Sequence, residues 1–275
     1  MSDQTHLTLN DGRSIPQVGL GVWQTPADTT ADTVAVALAA GYRAVDTAAV
    51  YRNEKGVGEG VRRSGLARNE VFVTTKLWND NQGYDAALTA FDKSLGRLGM
   101  DHVDLYLIHW PAPTQNLYLD SWKALVRLKE EGRAKSIGVS NFAVPHLERI
   151  IGETGVTPAV NQIELHPRFQ QSALRAFHAD KGILTESWSP LGQGKTLDDP
   201  TLTALAQRHG KTAAQVIIRW HVQLGLIVIP KSVTPSRIAE NLDVFGFALD
   251  DADMAAIAGL DGAQGRIGPD PAAFG

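Results

Sequence analysis
Four side chains in this sequence form a set that can move a proton: Asp46, Tyr51, Lys76 and His109. Three of them close short apolar runs: Ala44-Val45-Asp46, Val71-Phe-Val-Thr-Thr75 leading into Lys76, and Val103-Asp-Leu-Tyr-Leu-Ile108 leading into His109. Taken singly, Asp46 reads as a loop cap, Tyr51 as a packing aromatic, Lys76 as a solvated charge and His109 as a core histidine. Their joint placement at the ends of neighbouring candidate strands points to catalysis instead. A phenol with a pKa of about 10 holds its proton at neutral pH. A lysine ammonium beside it favours the phenolate, so Lys76 is expected to ease proton release from Tyr51. Asp46 can pair with Lys76 and fix its head, while His109 can hydrogen-bond a substrate carbonyl and aim it. The set suits carbonyl reduction, with Tyr51 protonating the alkoxide as it develops. No protein side chain donates hydride, so a nicotinamide cofactor is expected.

Later residues offer a place for that cofactor. Ser140 and Asn141 follow Gly138-Val139, and Gln162 lies in the next apolar run. All three have donors and acceptors suited to a carboxamide, and Trp188 has a flat face for a nicotinamide ring. The plainer alternatives are that Gln162 ties down a layer of the interior and that Trp188 simply packs. Ile229-Pro-Lys231-Ser232 precedes a helix start containing Arg237. Two cations and a hydroxyl near a helix N-terminus make an anion pocket. Lys231 and Arg237 can clasp a 2′-phosphate, which favours NADPH over NADH.

Eight short runs are candidate strands: Val18–Val22, Ala44–Asp46, Val71–Thr75, Val103–Ile108, Ser136–Val139, Ala159–Ile163, Ile183–Ser187 and Leu226–Ile229. Continuous apolar runs of this kind suit strands covered on both faces. Segments of helical period accompany them over Thr29–Ala40, Asp85–Leu98, Tyr118–Glu131, Val144–Gly152, Asp199–Gln207 and Ala213–Gln223. One more, from Thr234 toward Leu242, is the only helix expected after the last strand. The alternation calls for a parallel sheet, and eight strands over this length predict a (β/α)₈ TIM barrel. An open doubly wound sheet would need a Gly-rich first turn, and no G-x-G-x-x-G occurs. Leu7-Thr-Leu9 and Asn10-Asp11-Gly12 predict a β-hairpin that closes the barrel bottom.

Composition narrows the classes further. The chain has 275 residues, 43% of them hydrophobic, and is expected to fold as one domain over residues 1–275. Size scaling gives a folded surface of about 11,600 Å², enough for a self-sufficient core. A net charge of −4 argues against a nucleic-acid partner. The absence of cysteine excludes thiol nucleophiles and thiolate metal sites. No apolar run is long enough for a membrane span, and no signal peptide is recognised, so a cytoplasmic monomer is expected.

The sequence resembles the aldo-keto reductases along nearly its whole length. Gly41-Tyr-Arg-Ala-Val-Asp46-Thr-Ala-Ala-Val-Tyr51-Arg-Asn-Glu54-Lys-Gly-Val-Gly58 is similar to that family's first signature. Leu125 with Lys135-Ser-Ile-Gly-Val-Ser-Asn-Phe142 is similar to the second, and Ile229–Ser232 with Arg237, Glu240, Asn241 and Val244 to the third. The resemblance implies an NADPH-binding barrel with its tetrad on Asp46, Tyr51, Lys76 and His109. It implies cofactor contacts at Ser140, Asn141, Gln162, Trp188 and Ser189, then at Leu191, Gly192 and Gln193. At the other end of the cofactor it implies Lys231, Ser232, Val233, Arg237, Glu240 and Asn241. The implied walls of the substrate pocket are Trp23, Trp78 and Trp110, with His109. Trp188 at the stacking position, the short Leu191–Thr196 segment and the short tail after Asp261 look like the bacterial branch. That branch reduces 2,5-diketo-D-gluconate and small aldehydes such as methylglyoxal. The short segments imply an open pocket and easy cofactor exchange. The resemblance also admits a non-turnover NADPH-binding redox sensor on the same barrel. A barrel glycosidase using Glu164 and Glu186 is the enzymatic rival. It is disfavoured because both carboxylates are expected inside strands, and because it leaves the anion pocket without a use. Gly194-Lys195-Thr196 lacks the first glycine of a P-loop, and the eight histidines are scattered, so no metal site is expected.

Overall fold
The computed structural model describes residues 4–275. A hairpin of β1 (His6–Thr8) and β2 (Ser14–Pro16) comes first, antiparallel with His6 opposite Pro16. Eight parallel strands follow: β3 (Leu20–Gly21), β4 (Ala44–Asp46), β5 (Phe72–Leu77), β6 (Val103–Ile108), β7 (Ala134–Ser140), β8 (Val160–Glu164), β9 (Leu184–Trp188) and β10 (Ile227–Val228). Each pairs with the next in chain order. The sheet curls until its two edges meet, where parallel bridges join Val18 to Val228 and Gly21 to Lys231. The accessible surface is 11299 Å², close to the size-scaling expectation.

Side chains alternate between the two faces of this sheet, as strand geometry requires. Val45, Val73, Tyr106, Ile108, Ile137 and Val139 belong to a large apolar layer shared with the helices. Leu105, Leu107, Val160 and Ile227 belong to a separate inner cluster. Leu9 and Ile15, flanking the hairpin turn, are buried in that inner cluster, so the hairpin packs against one end of the interior.

The helices are α1 (Thr30–Ala40), α2 (Glu54–Arg63), α3 (Tyr84–Leu98), α4 (Tyr118–Glu130) and α5 (Val144–Thr154), then α6 (Ser172–Lys181), α7 (Pro200–His209), α8 (Ala213–Gln223), α9 (Pro235–Leu242) and α10 (Asp251–Ala258). Helix α1 stops at Gly41, whose φ of 112° satisfies the left-handed cap. Asp199 caps α7 through the Thr201 N–H, and Thr212 forms a capping box with Gln215 on α8. Helix α10 corrects the expectation of one helix after the last strand. Asp250 caps it, but only Asp253 and Ile257 are buried among its eight residues, too few for an apolar stripe.

Candidate active site
The inward face of each strand continues past the inner cluster to a polar ring. On β6 the inward series Leu105, Leu107 leads to His109, whose N–H bonds the Leu77 carbonyl. Lys76 follows Thr74 on β5, Asp46 follows Ala44 on β4, and Gln162 follows Val160 on β8. Tyr51 reaches the same place from a single 3₁₀ turn, Ala49–Tyr51, after β4. The four residues expected to handle a proton therefore meet at one end of the interior.

Lys76 is fully buried, and each of its three N–H bonds has an acceptor. Nζ lies 2.6 Å from Asp46 Oδ1, 2.9 Å from the Thr47 carbonyl oxygen and 3.5 Å from Tyr51 Oη. Burial is the largest effect and pulls the lysine pKa down, but Asp46, with Tyr51 and Glu186, outweighs it, so Lys76 stays charged with its pKa above the ordinary value. Burial raises the Tyr51 pKa and outweighs the pull of Lys76 toward phenolate. Lys76 thus pulls Tyr51 toward phenolate as expected, and desolvation, which cannot be read from the sequence, sets the net direction. Burial, and then Lys76, push His109 well below the usual histidine range, so its ring is neutral at pH 7. Its Nδ1 is sealed without a partner among the described residues, leaving Nε2 for the cavity side. Tyr51 and Trp78 hold the ring edge-on at centroid distances of 5.6 and 5.3 Å.

A cavity of about 580 Å³ opens over this cluster. Trp23, Trp78 and Trp110 line it beside Asp46, Tyr51 and His109. Asn141, Gln162, Trp188, Ser189, Gln193 and Lys231 form another part of its wall. The indole N–H of Trp188 donates to Asn141 Oδ1 at 2.8 Å, and Asn141 Nδ2 donates to the His109 carbonyl oxygen at 2.9 Å. Ser140 Oγ donates to the Gln162 carbonyl oxygen at 2.8 Å. Gln24, Asn141, Ser189 and Gln193 all have positive φ, which places strained backbone around the cavity wall.

Apart from Lys231 at its edge, the remaining expected cofactor contacts lie outside that wall. Leu191 packs against the core, and Gly192 is buried in a 3₁₀ turn. Lys231, Val233 and Arg237 are exposed around the start of α9, and neither cation forms an ion pair among the described residues. Ser232 is buried with its hydroxyl accepting the Thr234 N–H, and Asn241 is buried on α9. Glu240 accepts the Thr212 hydroxyl at 2.8 Å.

Three features were not anticipated. Ile267, Gly268 and Pro269 line the cavity, and Phe274 packs on Trp110 at 4.6 Å, so the tail covers part of the mouth. Glu164 is the last residue of β8, not an internal one, and it holds this tail. Its carboxylate accepts the Ile267 N–H at 2.6 Å and the Gly268 N–H at 2.8 Å, with His166 Nε2 at 3.1 Å. Burial opposes its ionisation, but these donors outweigh it and keep its carboxyl below the usual range. Glu186 lies on the inward face of β9, bonded to Gln162. Counting alternate positions back from Trp188 would have placed Glu186 there; nothing local in the sequence announces the tail.

Residues 16–261 match the sequence profile of the Aldo/keto reductase family. An aldo-keto reductase of Mycolicibacterium smegmatis is 60% identical, over 98% of this chain and 97% of that one. Methylglyoxal reductase DkgA of Escherichia coli K12 is 50% identical over the full length of both. Among solved structures, a Gox0644 mutant in complex with NADPH superposes with a TM-score of 0.95 at 57% identity, covering 98% of each chain.

Proposed function
The chain belongs to the aldo/keto reductase family, and on that premise we propose that it reduces aldehydes and ketones to alcohols with NADPH. The observation that carries this reading is the meeting at one cavity of a protonated Tyr51 and a neutral His109, with a charged Lys76 buried behind Tyr51. The cofactor fits the chemistry of the opposite wall. Trp188, pinned by Asn141, offers a flat face, and Ser140, Asn141 and Gln162 offer amide-binding groups. The Ser189–Gln193 loop would follow the phosphates, while Lys231, Ser232, Val233, Arg237, Glu240 and Asn241 would take the adenosine end and its 2′-phosphate.

When bound, NADPH supplies the hydride. His109 donates from Nε2 to the substrate carbonyl oxygen and fixes its direction. Tyr51 gives its proton from Oη to that oxygen as charge builds on it. The phenolate left behind is stabilised by Lys76, and Asp46 keeps Lys76 charged and in place. The three tryptophans limit water near the reacting carbonyl. Small reactive dicarbonyls such as methylglyoxal, or keto-sugars such as 2,5-diketo-D-gluconate, are the proposed substrates, in keeping with the 50% identity to DkgA. We read the bridged sheet as a closed (β/α)₈ barrel with the hairpin over its floor, acting as a cytoplasmic monomer of one domain.

The test is loss of absorbance at 340 nm with NADPH or NADH against methylglyoxal, an aromatic aldehyde and a keto-sugar. Consumption that needs both NADPH and a carbonyl is the expected result. Tight NADPH binding without turnover on any of them would replace catalysis with a sensor role.

A further inference from the structure
We propose that Glu186 is a positioning residue for the nicotinamide end of the cofactor: with Asp46 it takes both N–H bonds of the Gln162 amide and keeps the amide oxygen turned to the cavity. The proposal rests on the NADPH reading above.

Glu186 stands beside Gln162 in the register of β8 and β9, and it is buried. Gln162 Nε2 lies 2.9 Å from Glu186 Oε2 and 2.9 Å from Asp46 Oδ2. An amide nitrogen carries two hydrogens, so this pair uses both. Among the described residues Oε1 has no protein partner, and Gln162 lines the cavity. A flipped amide would set its oxygen against the Asp46 carboxylate, whose other oxygen is held by Lys76. The face shown to the cavity is therefore an acceptor, which suits the N–H donors of a primary carboxamide. Removing the carboxyl of Glu186 leaves one N–H without an acceptor and Asp46 as the one group holding the amide, so its hold on the orientation loosens.

The charged and titratable groups facing Glu186 are Asp46 from β4, Lys76 from β5 and Tyr51 from the turn after β4. Its strand neighbour on β10, Ile227, is apolar. Burial and Asp46 push Glu186 up to about 8, against the pull of Gln162 and Lys76. Proton loss near that pH puts negative charge beside the cavity. Negative charge there favours the cationic oxidised nicotinamide over the neutral reduced one.

Dissociation constants for NADPH and NADP⁺ are measured by quenching of tryptophan fluorescence from pH 6.5 to 9. In the wild type, the affinity ratio shifts toward NADP⁺ as pH rises; phosphate ionisation, common to both forms, cancels in that ratio. Glu186→Gln keeps an acceptor oxygen but cannot ionise. It should bind NADPH within about twofold of wild type at pH 7 and lose the pH dependence of the ratio. Glu186→Leu removes the acceptor and should weaken NADPH binding about tenfold. Wild-type affinity in Glu186→Leu, or an unchanged pH dependence in Glu186→Gln, overturns the proposal. Should Glu186→Leu fail to fold, the Glu186→Gln ratio decides alone. A wild type that binds no NADPH removes the cofactor reading as well, whereas normal wild-type binding with an indifferent Glu186→Leu removes only the positioning role.

Discussion

At the scale of single residues, the site balances burial against charge, and the balance sets which groups hold protons. Tyr51 and Lys76 stand above their ordinary pKa values and His109 well below its own. The proton donor is thus loaded at every neutral pH. Under the proposed mechanism protonated Tyr51 and neutral His109 are the active forms, so their own titration should leave kcat at saturating NADPH level through pH 7–9. Its alkaline limb should lie above the usual phenol value and its acid limb below the usual histidine value. A pH–rate profile with an acid midpoint at 6.5 would remove His109 from its assigned role. Replacing Tyr51 with Phe should lower kcat by about 10²–10⁴-fold, the usual worth of a positioned proton donor. NADPH affinity in that variant, read by fluorescence, should hardly change. The convergence of these residues was legible in the sequence because Asp46, Lys76 and His109 end inward-facing strand series and Tyr51 follows one of them by a single turn. Their protonation states were not, since desolvation depends on how much of the molecule lies around them.

Elements show the same division. Strands were legible from their apolar runs, and helices α1, α3, α4, α5, α7, α8 and α9 from stripes and caps. Helix α2 was not delimited, because Gly56, Gly58 and Gly60 weaken any helical reading. Their presence has a packing cause: a Cβ at Gly58 would sit 1.8 Å from the Leu98 carbonyl oxygen, and one at Gly60 would sit 2.6 Å from Val34 Cβ. The glycines let α2 press against α1 and the end of α3. Helix α6 went unmarked for another reason, since His178 is its one buried residue. Changing Gly58 to Ala should therefore destabilise the fold by about 3 kcal/mol, the upper part of the overpacking range. Gly96 lies within α3 with nothing within 4 Å of a built Cβ. Its change to Ala should be neutral or stabilising by up to about 1 kcal/mol. Urea midpoints for the pair test the claim; equal midpoints would mean that α2 has room to move.

Over the whole molecule, binding and stability are linked through the rim of the sheet. NADPH present at about 100 times its dissociation constant should add about 2.7 kcal/mol of stability, a rise of roughly 5 °C or more in Tm. Calorimetry with and without the cofactor checks this. Lys231 and Arg237 are exposed cations without ion pairs among the described residues, so Arg237→Ala should raise the KM for NADPH about tenfold and leave NADH nearly unaffected. Equal effects on both cofactors would withdraw the 2′-phosphate contact. At this scale the sequence told least. Bridging of the two sheet edges and the return of the tail over the mouth join residues far apart in the chain, and no local pattern records such contacts. The hold of Glu164 on that tail acts through the backbone N–H groups of Ile267 and Gly268, not through their side chains. Gly268 must stay small beneath the Trp188 ring and Gly275 against Ala112, but the residues between them are free of that constraint. The stretch from Pro269 to Phe274 is accordingly an exchangeable cassette: its letters can be rewritten to reshape one wall of the pocket while the clasp at the strand end keeps its route.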